Sequence, residues 1–237
     1  SPHAIHGFGR SSQWNIERPT VDTLRFNHKH DDPQSGFVYV AWQEFKVTDV
    51  DVTVEIGVRH LGRTPMPYGI GLHPWFPGGD DVSVAFIASD SFATDEDMLP
   101  TARTVIDLGR DFSDGRMIRH NLALDAHYAG WHLEADMVWQ DAGYSVKMIA
   151  SDSLSNVQFY IPEDGKTFCV EPVSHVPNVH NRPEFKEHGD LVVLDKNQTL
   201  SGTMTLVPSL LELPDSGLVD DDEVVGIPGN RDYSLVD

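Results

Sequence analysis

Apolar and polar residues alternate along much of the chain, which is the pattern of half-buried β-strands. Between positions 51 and 58, valine or isoleucine at the even positions alternates with polar residues or glycine at the odd positions, a period of two that predicts a strand. Further strands are predicted over 37–42, 82–86, 144–149, 157–161, 167–171, 191–194 and 202–207. Turn-forming residues separate these runs, and no stretch shows a convincing helical period. We therefore predict an all-β, antiparallel protein, and a sandwich rather than a barrel.

The 237 residues fit one large β domain. We find no internal repeat and no linker-like composition, so residues 1–213 are predicted to form a single sandwich domain. The last segment changes character and contains the acidic run 220–223 (DDDE). Runs of like charge are usually solvated, so residues 214–237 are predicted to be an acidic C-terminal tail.

Charge and composition exclude several classes of function. The 17 Lys and Arg against 37 Asp and Glu give a net charge of −20, a field that repels a nucleic-acid backbone. The sequence shows no apolar run of membrane-spanning length and no signal-peptide pattern, so we expect a cytoplasmic protein without a membrane partner. The acidic surplus fits a salt-adapted surface or an ordinary acidic enzyme, and the composition leaves both open.

Cys169 is the single cysteine, which excludes a disulfide framework and a Cys-based zinc site. His28 and His30 have the i, i+2 spacing of metal ligands on a strand. They lack a defined third ligand beyond the adjacent aspartates, so we expect them to lie on a solvated loop. We expect neither a metal nor an organic cofactor.

The stretch 69–76 (GIGLHPWF) is the most informative for function. On a strand, Gly69, Gly71 and His73 would share one face. Two missing side chains beside an imidazole would leave room for a ligand to approach. Trp75 and Phe76 add flat apolar surface of the kind that contacts the C–H face of a sugar. The alternative is a histidine at a strand end, packed under core aromatics.

The stretch 167–172 (TFCVEP) has the same design. Phe168 and Val170 would face the core, whereas Cys169 and Glu171 would share the opposite face. A carboxylate on an otherwise apolar strand is costly to bury unless it is paired or used. Burial would raise its pKa, which suits a general base near neutral pH. The alternative is a glutamate in a salt bridge at the sheet end.

Taken together, four motifs resemble those of the aldose 1-epimerase (galactose mutarotase) family, in the family's order. They are 2–10 (PHAIHGFGR), 65–76 (PMPYGIGLHPWF), 124–131 (LDAHYAGW) and 168–181 (FCVEPVSHVPNVHN). Each motif alone is weakly specific, but their combination spans most of the chain.

The resemblance implies a galactose mutarotase-like supersandwich that interconverts the α and β anomers of a free aldose without a cofactor. By motif match, Glu171 would be the general base at the C1 hydroxyl and His73 the general acid at the ring oxygen. The substrate contacts expected are His6 at the ring-oxygen region, Asp125 at the sugar hydroxyls, and Arg10 and Trp75. The expected partner is a small-molecule sugar.

Two departures from the family pattern qualify this expectation. In the family, several strands and an Asn-Arg pair that contacts the sugar precede the first histidine motif. The sequence here begins close to that motif, so we expect those N-terminal strands to be absent or replaced. His60 stands where the family usually has Asn. A noncatalytic carbohydrate-binding relative and a hexose-6-phosphate 1-epimerase are therefore the alternative functions. A phosphate site should gather cations, and only Arg10 and Arg182 lie near the motifs.

Overall fold

The structure is a computed structural model that describes residues 6–32, 34–119 and 122–212. These residues form seventeen strands, numbered β1 to β17 along the chain, and three short 3₁₀ helices at Phe8–Ser11, Val179–Asn181 and Pro183–His188. The described part contains no helix long and apolar enough to cross a membrane. The predicted tail, 214–237, lies outside the described residues and stays a prediction.

The larger sheet has nine strands and is antiparallel throughout. Its spatial order is β1 (Asn15–Thr20), β2 (Thr23–Asp32), β3 (Phe37–Val47), β4 (Val52–His60), β17 (Thr199–Leu210), β13 (Tyr144–Ala150), β12 (Glu134–Trp139), β7 (Val82–Phe86) and β10 (Arg116–Met117). The alternation at 51–58 therefore lies on β4, where Val54 and Val58 are buried and Arg59 is exposed.

The smaller sheet has six strands, also antiparallel. Its order is β6 (Trp75–Pro77), β15 (Thr167–Val173), β14 (Asn156–Ile161), β11 (Leu124–Ala129), β8 (Asp90–Thr94) and β9 (Pro100–Thr104). Separately, β5 (Met66–Tyr68) pairs with β16 (Val192–Leu194).

One apolar core joins the two sheets. Met148 and Met204 of the large sheet and Phe159 and Phe168 of the small sheet belong to the same buried cluster. Burying apolar surface of this kind contributes about 25 cal/mol per Å². The predicted all-β, antiparallel sandwich is therefore confirmed.

Strands in which apolar and polar residues do not alternate were not predicted from the sequence. All six residues of β1 are exposed, so no period of two was visible there. The prediction that His28 and His30 lie on a solvated loop is wrong, since both lie on β2. Their rings face inward against Tyr39, and aromatic packing there replaces the solvation that we expected.

Candidate active site

Neighbouring strands of the small sheet carry polar side chains on the face that points away from the core. Phe168 and Val170 are fully buried in the core, so Cys169 and Glu171 point to the opposite side of β15, as the alternation predicted. This opposite side is called the site face below.

The strand register aligns the polar side chains of the site face in rows. Asp125 on β11 pairs with Tyr160 on β14, and the same row continues through Cys169 on β15 to Trp75 on β6. The adjacent row runs from His127 through Gln158 to Glu171. Since directly opposed residues have Cβ atoms about 4.5–5.5 Å apart, these groups form one continuous polar surface.

His73 reaches this surface from the segment between β5 and β6. Ile70 and Leu72 are buried in the core, and Gly71 forms an isolated bridge with Val173 on β15. The segment is thereby held along β15, and Nε2 of His73 lies 3.3 Å from Oε1 of Glu171. The imidazole and the carboxylate that the sequence singled out are therefore in contact, although they lie far apart along the chain.

The two glycines before His73 serve packing, which corrects our expectation that they leave room for a ligand. A Cβ on Gly69 would lie 2.1 Å from the His175 ring, and a Cβ on Gly71 would lie 2.7 Å from Val173. Neighbouring protein side chains thus occupy the space that the glycines free. The hydroxyl of Ser174 fixes this arrangement by accepting the N–H of Ile70 at 2.9 Å.

Burial sets the electrostatics of the histidine–glutamate pair. Glu171 is 8% exposed, and burial, with the nearby negative charge of Asp125, raises its pKa to about 8. Burial, followed by the positive charge of His6, lowers the pKa of His73. Around neutral pH the pair therefore holds one proton, mainly on Glu171.

Asp125 lies on the site face, where Gln158 donates a hydrogen bond from Nε2 to its Oδ1. Partial desolvation raises the pKa of Asp125, and the bond from Gln158 opposes that rise. The carboxylate is exposed on one side, so it can accept hydrogen bonds from a ligand while Gln158 holds it in place.

Phe76, which was predicted with Trp75 to offer a flat apolar surface to a sugar, is instead buried in the core. Trp75 does offer such a surface. Its side chain is 56% exposed and stacks on the His73 ring, with centroids 5.4 Å apart and planes 15° apart. Tyr160 meets it edge-on at 6.0 Å. A pyranose ring could thus contact Trp75 while its hydroxyls face His73 and Glu171.

The N-terminal motif contributes two residues. His6 meets His73 edge-on, with centroids 5.2 Å apart. Arg10 lies on the 3₁₀ helix Phe8–Ser11, and its positive charge helps to lower the pKa values of His6 and His73. The structure therefore groups His6 with the other predicted site residues and brings Arg10 near enough to act through its charge. Residues 2–5 of the motif lie outside the described residues.

The alternative phosphate cation, Arg182, has other partners. Its Nε contacts Glu184 at 2.6 Å, and Nη1 donates to the backbone oxygen of Pro100 at 3.2 Å. Its guanidinium also covers the Phe185 ring. These contacts hold Arg182 at the β9 edge of the small sheet.

His60, which stands in place of the family's usual Asn, is fully buried. Its Nδ1 lies 2.8 Å from the Tyr68 hydroxyl and its Nε2 lies 2.8 Å from the backbone oxygen of Thr64. Both ring nitrogens are therefore satisfied within the fold, which assigns His60 a structural role.

Among the described residues, one group of three donors is close enough to hold a metal ion. The donor atoms of His73, Cys169 and Glu171 lie within 4.8 Å of one another. Burial raises the pKa of the Cys169 thiol to about 12, and the pKa of Glu171 is also raised. Metal ligands of these types bind in the deprotonated form, so a metal ion at this position would have to displace the protons of Cys169 and Glu171.

Sequence reasoning missed Gln158, Tyr160 and His127. A signal was available, because Gln158 and Tyr160 alternate with Val157 and Phe159 on a predicted strand. The alternation gives the face of the strand but not its neighbour, so their proximity to Asp125 and Glu171 could not be inferred without the register.

Comparison with known proteins supplies the family. The sequence profile of the aldose 1-epimerase family matches residues 1–207. The chain belongs to this family. The protein YphB of Escherichia coli K12, described as uncharacterized, is 26% identical to this family member over 213 residues, which cover 86% of this chain and 71% of YphB.

Solved structures agree with this assignment. A provisionally named aldose 1-epimerase from Escherichia coli K12 has a TM-score of 0.79 at 25% identity, covering 87% of this chain and 72% of that chain. A galactose mutarotase-like protein from Clostridium acetobutylicum has a TM-score of 0.78 at 15% identity, covering 87% and 69%, a likeness that shows the fold alone. This family member therefore has the predicted galactose mutarotase-like sandwich.

Proposed function

We propose that this protein is an aldose 1-epimerase that interconverts the α and β anomers of a free aldose by acid–base ring opening and closure. The contact between His73 and Glu171, 3.3 Å apart on the site face, carries the proposal. Anomer exchange needs one group that removes the proton of the C1 hydroxyl and another that delivers a proton to the ring oxygen, O5.

In the ring-opening step, the carboxylate of Glu171 accepts the O1 proton while the C1–O5 bond breaks. The electrons of the O1–H bond form the carbonyl at C1, and those of the C1–O5 bond pass to O5, which takes a proton from the His73 imidazolium. Rotation about C1–C2 then exposes the other carbonyl face. Ring closure reverses both proton transfers, so the enzyme ends in its starting state.

The order of the two pKa values favours ring opening once the reactive tautomer has formed. The resting pair holds its proton on Glu171, whose pKa is raised to about 8, whereas that of His73 is lowered. Moving this proton to His73 costs free energy. It creates a His73 imidazolium, which gives up its proton readily, beside a Glu171 carboxylate, which accepts one readily. Opening the sugar then returns the pair to its preferred protonation state.

The surrounding groups are suited to hold the sugar. The partly exposed Asp125 carboxylate can accept hydrogen bonds from sugar hydroxyls, and Trp75 can cover a C–H face. His6 stands edge-on to His73, where it can contact the ring-oxygen region. We expect a small-molecule sugar as the partner, and neither a nucleic acid nor a membrane, and the cytoplasmic location stays a prediction.

Polarimetry of freshly dissolved α-D-glucose and α-D-galactose tests the proposal. We expect the optical rotation to reach equilibrium faster than it does spontaneously, in proportion to protein concentration. Sugar binding without acceleration would instead favour the noncatalytic carbohydrate-binding alternative. The hexose-6-phosphate alternative is less well supported, since Arg182 is engaged by Glu184 and Arg10 is the remaining predicted cation near the site.

A further inference from the structure

A buried histidine lies two strands away from Glu171 of the candidate proton-transfer pair. His127 on β11 is 2% exposed, and it directly opposes Gln158 on β14, which in turn opposes Glu171 on β15. Gln158 therefore lies between the buried imidazole and the candidate base. The proposed function does not use His127, although the histidine occupies the same row of the site face.

Hydrogen bonds connect His127 to Asp125 through Gln158. Nδ1 of His127 lies 3.1 Å from Oε1 of Gln158. The amide nitrogen of Gln158 donates to Oδ1 of Asp125. On the other side of the ring, Nε2 of His127 lies 3.3 Å from Oδ1 of Asn156. The amide of Gln158 thus has one end on the imidazole and the other on a candidate sugar-binding carboxylate.

The donors and acceptors fix the tautomer of His127. Burial lowers the pKa of His127 to about 4, so the ring is neutral and has a single N–H at neutral pH. A carboxylate accepts hydrogen bonds only, so Gln158 must turn its NH₂ towards Asp125 and its oxygen towards His127. That oxygen needs a donor, which must be Nδ1–H.

The tautomer of His127 also determines the orientation of the Asn156 amide. With its proton on Nδ1, the imidazole offers a lone pair at Nε2 and requires a donor there. The oxygen and nitrogen of an amide are assigned from such networks, so the Asn156 amide presents its nitrogen to His127. Its oxygen can then accept the hydroxyl of Ser155, the present partner of its Nδ2 at 3.2 Å. In this arrangement both ring nitrogens of His127 face a complementary group.

Packing alone does not require an imidazole at this position. The ring of Phe92 lies 5.6 Å from that of His127, and Phe92 belongs to an apolar cluster with Ala129 and Val176. An apolar side chain would fill this space without the cost of burying ring nitrogens. The polar ring therefore needs a reason beyond volume, and its bond to Gln158 supplies one.

We propose that His127 is a positioning residue that fixes the amide orientation of Gln158 through its Nδ1–H and thereby holds the Asp125 carboxylate for the sugar hydroxyls. The inference rests on the proposed function insofar as it takes Asp125 as a sugar contact. Without His127, the Gln158 amide can rotate and present its oxygen to Asp125, which repels the carboxylate. His127 then determines sugar affinity without touching the sugar.

The tautomer can be tested without any sugar, by ¹⁵N-edited NMR of the histidine ring nitrogens in the full chain. The expected result is a neutral His127 ring protonated at Nδ1, although free imidazole side chains favour Nε2–H. A ring protonated at Nε2, or at both nitrogens near neutral pH, would overturn the proposal. This outcome does not depend on whether the protein accelerates anomer exchange.

The affinity arm uses calorimetric titration of galactose and glucose into His127→Asn and His127→Leu. An Asn amide nitrogen can occupy the Nδ1 position, so His127→Asn should bind sugar within about threefold of the wild type. His127→Leu removes the donor and should weaken binding about tenfold. Phe92→Leu, which changes packing against the same ring but no hydrogen bond, is the matched control.

The two variants also separate positioning from general damage. In an Asp125→Asn background either orientation of Gln158 finds a partner, so His127→Leu should add little further loss of affinity. Equal losses in His127→Asn and His127→Leu, or a loss in Phe92→Leu as large as in His127→Leu, would contradict the positioning role. If the wild type binds neither sugar, the proposed function and the affinity effect both fail, and the NMR result still decides the tautomer.

Discussion

The two faces of β14 and β15 differ in chemistry although they share the same backbone. On the core face, Val157, Phe159, Phe168 and Val170 are completely buried and apolar. On the site face, the same strands carry Gln158 and Glu171, among other polar groups. The apolar face fixes the positions of the strands, and the polar face can therefore hold the Glu171 carboxylate in an environment that raises its pKa.

The largest effect should come from the core face. Phe168 stacks on Phe76 with centroids 5.4 Å apart and lies 6.3 Å from Phe159. Phe168→Ala leaves a cavity there and should lower the free energy of unfolding by about 3–5 kcal/mol, as measured by urea denaturation. The protein that remains folded should lose less kcat than Glu171→Gln does. Unchanged stability would contradict the role of the core face in fixing the positions of the strands.

On the site face, loss of either proton-transfer group should reduce turnover instead of stability. His73→Asn and Glu171→Gln should each lower kcat by about 100-fold or more with a modest change in KM. Initial rates from polarimetry measure both constants. His132→Asn, at an exposed histidine in the connection between β11 and β12, is the control. Wild-type turnover in either site variant would remove the role assigned to that residue.

The rate should also depend on pH at both ends of the neutral range. Below the lowered pKa of His73 the pair gains a second proton, and above about pH 8 Glu171 loses the one that the resting pair holds. The kcat/KM profile should therefore be bell-shaped, with its alkaline limb near pH 8 and its acid limb below 6.5. Rates that stay flat from about pH 5 to about pH 10 would contradict the paired protonation.

The site face should also reduce stability in a pH-dependent manner. The folded-state pKa of Glu171, about 8, exceeds its ordinary value of 4.5, so its protonation stabilises the fold below about 4.5, and that contribution is lost as the pH rises through about 8. Glu171→Gln stays neutral and should become more stable than the wild type in alkaline solution.

Thermal unfolding at two pH values measures this gain. Each kcal/mol shifts the melting temperature of a domain this size by about 2–4 °C, so a rise of several degrees is expected above pH 8 and little at pH 5. Glu163→Gln, at an exposed glutamate, should show no such trend. An equal shift at both pH values would argue against a buried, protonated Glu171.

The smallest effect is expected at the rim of the site face. Asp125→Asn keeps the shape of the side chain but removes the charge that accepts sugar hydroxyls. KM should rise about tenfold while kcat stays within about threefold, measured in the same polarimetric assay. A fall in kcat at constant KM would count against a binding role for Asp125.

The sequence predicted which face of a strand each side chain occupies better than it predicted which strands lie side by side. Alternation placed Phe168 and Glu171 on opposite faces of one strand because the side-chain period of a strand is fixed at two. It could not place Gln158 beside Glu171, since pairing register depends on contacts between distant segments. The glycines before His73 were misread for the same reason, because the His175 ring that fills the space beside Gly69 comes from a segment far along the chain.

Magnetisation-exchange NMR on galactose and glucose at anomeric equilibrium tests proton transfer by His73 and Glu171 without a stopped assay. It measures the rate at which α and β resonances interconvert in the presence of the protein. We predict that this rate rises linearly with wild-type concentration and stays at the spontaneous value with Glu171→Gln. A folded, sugar-binding wild type that leaves the rate unchanged, or an equal rise with the variant, would contradict proton transfer by the His73–Glu171 pair.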